Sequence, residues 1–195
     1  MTPAATLLGS VKALTARPDW SDYFDISRRG LKASFVALLL TIPAFYLIAH
    51  GVQVERMKQF GESLQSVPLA PFIILLTLYL LTFSACACIF SMLFDTQDRF
   101  RPWVITRHWT VFWLTLLIAS LFGLYLLGLL PFDLVNYAAL AGFLGILLID
   151  IRLGQIIVPF KIGKSILIAC VINAMGLIVI LLLSLIHISE PTRPY

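Results

Sequence analysis

Charge is scarce in this chain: Asp, Glu, Lys and Arg make up 12% of its 195 residues, about half the share found in water-soluble domains. So few charges cannot cover a solvated surface, and with 60% apolar residues and a mean hydropathy of +0.96 a soluble globular class is excluded. Cysteine is also rare. Cys86, Cys88 and Cys170 all lie in apolar runs, where thiols behave as small buried hydrophobes and report nothing about redox compartment. Cys86 and Cys88 are two apart, on different faces of a helix, and no second Cys or His pair stands near, so a zinc site has no ligand set. His-Glu-x-x-His, Gly-x-Ser-x-Gly, P-loop and paired mid-span carboxylates are missing as well. The sequence therefore offers no catalytic, cofactor-binding or metal-binding residues, and the expectation is a protein that is not an enzyme. The net charge of +4 is spread over connecting segments instead of being gathered on an aromatic-studded face, which argues against nucleic acid as a partner.

What the chain has is five apolar runs, each about 20 residues long, the length a helix needs to cross a bilayer. The expected fold class is all-α: a polytopic bundle of five transmembrane helices in residues 31–182, preceded by a cytoplasmic or interfacial segment in residues 1–30. In that segment Leu7, Leu8, Val11 and Leu14 recur at helical spacing with Lys12 on another face, the pattern of an amphipathic helix lying on the membrane. It lacks the basic start and short apolar core of a cleavable signal peptide. The aromatics in Asp19-Trp20-Ser21-Asp22-Tyr23-Phe24-Asp25 suit the headgroup layer, and Asp25 is the expected N-cap of the first span.

The first span is expected over 31–51, with Pro43 near its centre as a kink because it lacks a backbone donor. A polar loop at 53–66 follows. The second span is expected over 71–94, then a loop holding Asp95, Asp98, Arg99, Arg101 and Pro102. The third covers 109–130 and turns at Leu130-Pro131-Phe132-Asp133, a connection short enough only for an antiparallel hairpin, with Asp133 as cap of the fourth. The fourth starts near Leu134 and loses its apolar character at Asp150 and Arg152. The fifth covers 162–182.

Orientation follows from the basic residues. Eleven fall in the N-terminal segment (Lys12, Arg17, Arg28, Arg29, Lys32), the second loop (Arg99, Arg101, Arg107) and the fourth loop (Arg152, Lys161, Lys164); the first loop has two, Arg56 and Lys58, and the third none. The positive-inside rule then places the N-terminus and the second and fourth loops in the cytoplasm, as expected of a multi-pass protein of the inner membrane.

Four polar or helix-breaking residues are candidates for function or for holding the spans together: Asn173, Asp150, Arg152 and Pro43. Asn173 sits in the middle of the fifth span, where an unpaired amide costs several kcal/mol, so it should face the bundle and bond another helix, a hydroxyl or carbonyl near Pro43 being one partner. Asp150 and Arg152 are two apart and point about 200° away from each other on a helix, so they are poor partners. Asp150 is expected near the cytoplasmic boundary, pairing with a loop Arg or Lys. His50 and His108 fall at opposite membrane faces and are read as interfacial. Small residues spaced by four, which let helices approach closely in lipid, mark two packing stripes: Ala138 with Gly142 and Ala141 with Gly145 on the fourth span, Ser84 with Cys88 on the second. Contact within one copy is favoured over a homo-oligomer.

Residues 183–193, Leu-Ser-Leu-Ile-His-Ile-Ser-Glu-Pro-Thr-Arg, resemble the translation of a common transposase-type sequencing adapter. Residues 183–195 are accordingly expected to be a non-native tail, outside functional reasoning. The approach Phe24-Asp25-Ile26-Ser27-Arg28-Arg29-Gly30, the five spans and the tight hairpin between spans three and four resemble small uncharacterised bacterial membrane proteins, loosely similar to the Yip1-like superfamily. That resemblance implies a non-enzymatic protein acting through partner proteins or lipid organisation. The alternative is a small transporter or channel subunit with a polar path near Asn173 and Pro43.

Overall fold

The computed structural model describes residues 2–61 and 69–188, with the side chains of the last helix described as far as Leu181. The chain is all-α, with no strand among the described residues. After α1 (Pro3–Leu14) and a 3-10 turn (Pro18–Tyr23) come α2 (Arg28–Leu39), α3 (Thr41–Phe60), α4 (Leu69–Leu93), α5 (Gln97–Leu126), α6 (Phe132–Ile156) and α7 (Ile162–Ile188). Five segments are long and apolar enough to cross a membrane: α2 and α3 taken together, then α4, α5, α6 and α7. The protein is a multi-pass membrane bundle.

The bundle is organised around α5, which packs against α1, α2, α3, α4 and α6, while α7 packs on α4 and α6. Six consecutive residues of α5, Trp103 to His108, are buried. A helix enclosed on all sides has neighbours all round, unlike one with a single apolar stripe. Around this stretch lies the largest apolar cluster, where Phe83, Trp103, Ile149, Leu153, Phe160 and Ile168 meet. A second cluster joins α2 to α4 through Leu38, Leu76 and Leu80. A third, around Phe122, Tyr125 and Val135, closes the opposite end.

Several expected boundaries move. The first span is broken between α2 and α3 at Leu40, three residues before Pro43. Proline removes one backbone donor and its ring clashes with the carbonyl four residues earlier, here Leu39, so the break falls ahead of Pro43 and not at it. α3 also continues through the segment read as the start of a polar loop, where Tyr125 donates to Glu55 at 2.7 Å and Lys58 donates to Tyr125 at 3.0 Å. The rest of that loop, 62–68, lies outside the described residues.

The second loop is much shorter than expected, because α5 begins at Gln97 and carries Pro102 inside it. A proline this near the helix start releases only the carbonyl of Asp98, close to the polar end. Arg107 consequently leaves the loop count and joins the bundle interior, leaving ten basic residues in place of eleven on the basic side.

Capping differs as well. Ser27, not Asp25, caps α2, its hydroxyl accepting from the amides of Arg29 and Gly30, while Asp25 accepts from the Ser27 amide one step earlier. Asp133 lies within the first turn of α6 with Pro131 at the cap position, so it acts on the helix dipole and not as a cap. The α5–α6 hairpin turns on Gly128 at φ +74, whose amide bonds the Tyr125 carbonyl. This left-handed conformation favours glycine.

α1 is inverted relative to a soluble amphipathic helix. Its small and polar residues Thr6, Gly9, Ser10 and Ala13 are buried against the bundle, and Leu7, Leu8 and Val11 point outward. Apolar surface facing outward is stable where the surroundings are lipid.

Candidate functional site

Two adjacent residues of α5 link it to four other helices. Arg107 and His108 are about 100° apart around the helix axis, so they serve different neighbours. Arg107, 5% exposed, donates from Nε to Oδ1 of Asp150 on α6 at 3.1 Å, and Asp150 is 2% exposed. The second carboxylate oxygen of Asp150 accepts from the Asn173 amide on α7 at 3.1 Å. The same amide nitrogen donates to the Ala169 carbonyl at 2.9 Å. The guanidinium lies over the Phe83 ring of α4, 4.2 Å from its centroid, a cation–π contact that gives the remaining charge a polarisable neighbour.

His108 is fully buried. Its Nε2 lies 2.9 Å from the Ser84 hydroxyl on α4 and its Nδ1 lies 3.1 Å from the Ser34 hydroxyl on α2. Ser34 already donates its only hydroxyl proton to the Leu31 carbonyl at 2.8 Å. It therefore accepts from Nδ1–H, and in the neutral imidazole Nε2 then accepts from the Ser84 hydroxyl. The Phe35 ring meets the imidazole edge to face at 4.8 Å. Together the two residues bind α2, α4 and α6 to α5 at one level of the bundle, and α7 joins them through Asp150.

That level lies within α5 and α7, about three turns from their starts. Arg107 is about 15 Å along α5 from Gln97, and Asn173 about 16 Å along α7 from Ile162, at 1.5 Å per residue. Asp150 pairs with Arg107, a cation expected in the second loop that lies instead within α5, and its second oxygen is taken by Asn173. The partner of Asn173 is Asp150 and not a group near Pro43, which is exposed on α3. Beside the charged pair is a cleft of about 10 Å³ lined by Tyr79, Thr82, Phe83, Arg107, Ile172, Asn173 and Gly176, room for a single water at most. Pro43 is not among its walls.

Arg152 belongs elsewhere. It lies on the exposed side of α6, and its Nε donates to the Leu14 carbonyl at 3.1 Å, tying α6 to the end of α1. Of the small residues, Gly142 faces α5 so closely that a Cβ there would lie 2.2 Å from Ile118 Cδ1, and Gly145 sits opposite Leu114 at 3.6 Å. Ala138 is half-buried, but Ala141 is exposed and takes no part in this packing. On α4, Cys88 is half-buried and Ser84 serves as a hydrogen-bond partner of His108 rather than as a spacer.

A second polar cluster outside the spans holds α1 to the 3-10 turn. The Lys12 ammonium pairs with Asp19 and donates to the Tyr23 hydroxyl at 2.7 Å. The Asp19 carboxylate raises the pKa of Lys12 above its usual value, and Lys12 holds Asp19 below the usual carboxylate range.

Arg107 was expected in a loop and His108 at the interface, whereas both are buried inside α5, and Ser34 carried no expectation. A signal was present: Trp103-Val104-Ile105-Thr106 is apolar enough to start a span earlier, and taking charge as a loop boundary hid it. Among the described residues, no three His, Cys, Asp or Glu side chains come together as a metal site. Comparison of the chain with protein-family models, characterised proteins and solved structures finds no match.

Proposed function

We propose that this chain is a non-enzymatic protein of a bacterial inner membrane, its N-terminus cytoplasmic, in which the Arg107–Asp150–Asn173 and Ser34–His108–Ser84 groups lock the bundle while the outer surface works through lipid or partner proteins. The observation that carries the reading is that these interior groups are engaged with one another, with space beside the charged pair for at most one water. A permeating solute needs room and unspent polar contacts. The resemblance to the Yip1-like superfamily points the same way.

The test is reconstitution of the full chain in vesicles loaded with a pH-sensitive dye, comparing wild type with the paired replacement Arg107→Met with Asp150→Leu. Removing both charges of a buried pair is often neutral or stabilising, so the expected result is a folded double variant and no proton flux from either protein. Flux from wild type that the double variant loses while folded would overturn the reading. It would support the second one, a small transporter or channel subunit, which rests on an ionisable pair lying inside a span, where such groups mark ion paths.

A further inference from the structure

The outer surface of α1, α5 and α6 carries two clefts separated by one ridge. The first, about 530 Å³, runs between α1 and α5 past Leu7, Val11, Trp113 and Leu117. The second, about 500 Å³, runs along α6 past Gly145, Leu148 and Ile151. Leu14, Leu114 and Ile149 line both and form the ridge. Their walls are otherwise almost wholly apolar, and the polar groups of the second, Arg152 and Gln155, stand at its end, in the last turns of α6. Each cleft is within the range of small-molecule sites.

The charge at this end is specific. Lys12 is taken up by Asp19 and Tyr23, whereas Arg152 is exposed and, among the described residues, its guanidinium bonds through Nε to the Leu14 carbonyl, a neutral group that leaves its charge uncompensated there. That bond fixes the guanidinium beside Leu14, where the two clefts meet. Twin apolar channels joined at a fixed cation match an amphiphile with two chains and one negative headgroup. A second copy of the chain would instead have to bring a carboxylate and two apolar ridges in the same register.

We propose that this face binds one anionic diacyl phospholipid, an acyl chain in each cleft and the phosphate on Arg152. The site deepens the proposed function by naming lipid as a partner, and it rests on that reading only for its biological role. Basic pockets at the ends of transmembrane helices bind anionic headgroups in this way.

Trp113 lines the first cleft and supplies the probe. The full chain is reconstituted in phosphatidylcholine vesicles doped with either dibrominated phosphatidylglycerol or dibrominated phosphatidylcholine, and tryptophan quenching is compared at equal mole fraction. The anionic lipid is expected to associate about five-fold more strongly, the effect of one basic residue near an anionic headgroup. The preference should disappear in Arg152→Gln, persist in Arg152→Lys, fall in Gly145→Leu, which fills the second cleft, and be absent from the signal of Trp113→Phe. Equal quenching by the two lipids of the wild-type protein would overturn the proposal whatever the variants do. So would headgroup selectivity that survives Trp113→Phe, which would place it elsewhere, or shielding of Trp113 from both lipids by a second copy. Proton flux in the vesicle assay would sink the non-transport reading and leave this site standing; equal quenching would do the reverse.

Discussion

At the residue scale, the decisive unit is Arg107 with Asp150. Both are nearly inaccessible, so removing one partner leaves the other charged without compensation. Arg107→Met alone is expected to destabilise the bundle by about 3–5 kcal/mol, measured by unfolding in mixed detergent micelles, and the paired replacement with Asp150→Leu should recover most of it. Recovery by the pair is what separates loss of compensation from loss of packing. Asn173 is less critical, because Asp150 keeps Arg107 when the amide is gone. Asn173→Leu should cost about 1 kcal/mol or less, the scale measured for hydrogen bonds between membrane helices; a loss as large as that of Arg107→Met would show that the amide is essential to the charged pair.

At the element scale, the entry into the first span depends on one close approach. Gly30 lies in the first turn of α2, where a Cβ would fall 1.6 Å from the Asp25 carbonyl oxygen, so the chain ahead of α2 can fold back only over a residue without a side chain. Gly30→Ala must displace backbone and should destabilise the N-terminal segment more than Gly163→Ala, where nothing stands within 4 Å; limited proteolysis of the first 30 residues measures the difference. Docking of α1 on the 3-10 turn carries a pH signature. Asp19, depressed by Lys12, contributes stability that is present above its unfolded value of 3.8 and lost as pH falls through its lower folded value. Lys12, raised by Asp19 and then by Tyr23, contributes stability present below 10.5 and lost as pH rises through its higher folded value. Both groups are half-buried at the surface and reached by solvent, so the effect is small and local. Trp20 emission, close to this contact, should be constant between those limits and drift outside them, and Asp19→Asn should abolish the acidic drift.

At the scale of the whole molecule, ring contact between Phe94 and Phe160 at 5.6 Å brings the α4–α5 and α6–α7 connections to one end of the bundle. Lys164 lies over Phe94, 3.2 Å from the ring centroid, at that same end. Arg152 binding the Leu14 carbonyl fastens the N-terminal segment to the α6 half of this arrangement. With the remaining basic residues so distributed, this end is expected to face the cytoplasm. Single cysteines introduced at Lys58 and Arg99 provide the check in intact cells: a membrane-impermeant reagent should label the first and not the second, and the opposite pattern would invert the topology.

The number of spans, their approximate positions and the asymmetry of basic residues were legible in the sequence, because each depends on local composition: a run of about 20 apolar residues is a span whatever packs against it. The inward placement of Asn173 was legible for the same reason, since hydrocarbon tolerates no unpaired amide. Partnership was not. Asp150 finding Arg107, 43 residues away, and His108 finding Ser34, 74 residues away, depend on how helices rotate about their axes and on which neighbours α5 acquires. Sequence spacing carries no information about that rotation once a helix is apolar on every side. The outward leucines of α1 fit a helix lying against lipid, but the packing of its other face, Thr6, Gly9, Ser10 and Ala13, against the bundle was hidden for the same reason. Composition determined that this chain lives in a membrane; the packing of α5 against its neighbours decided which of its few polar groups share the interior.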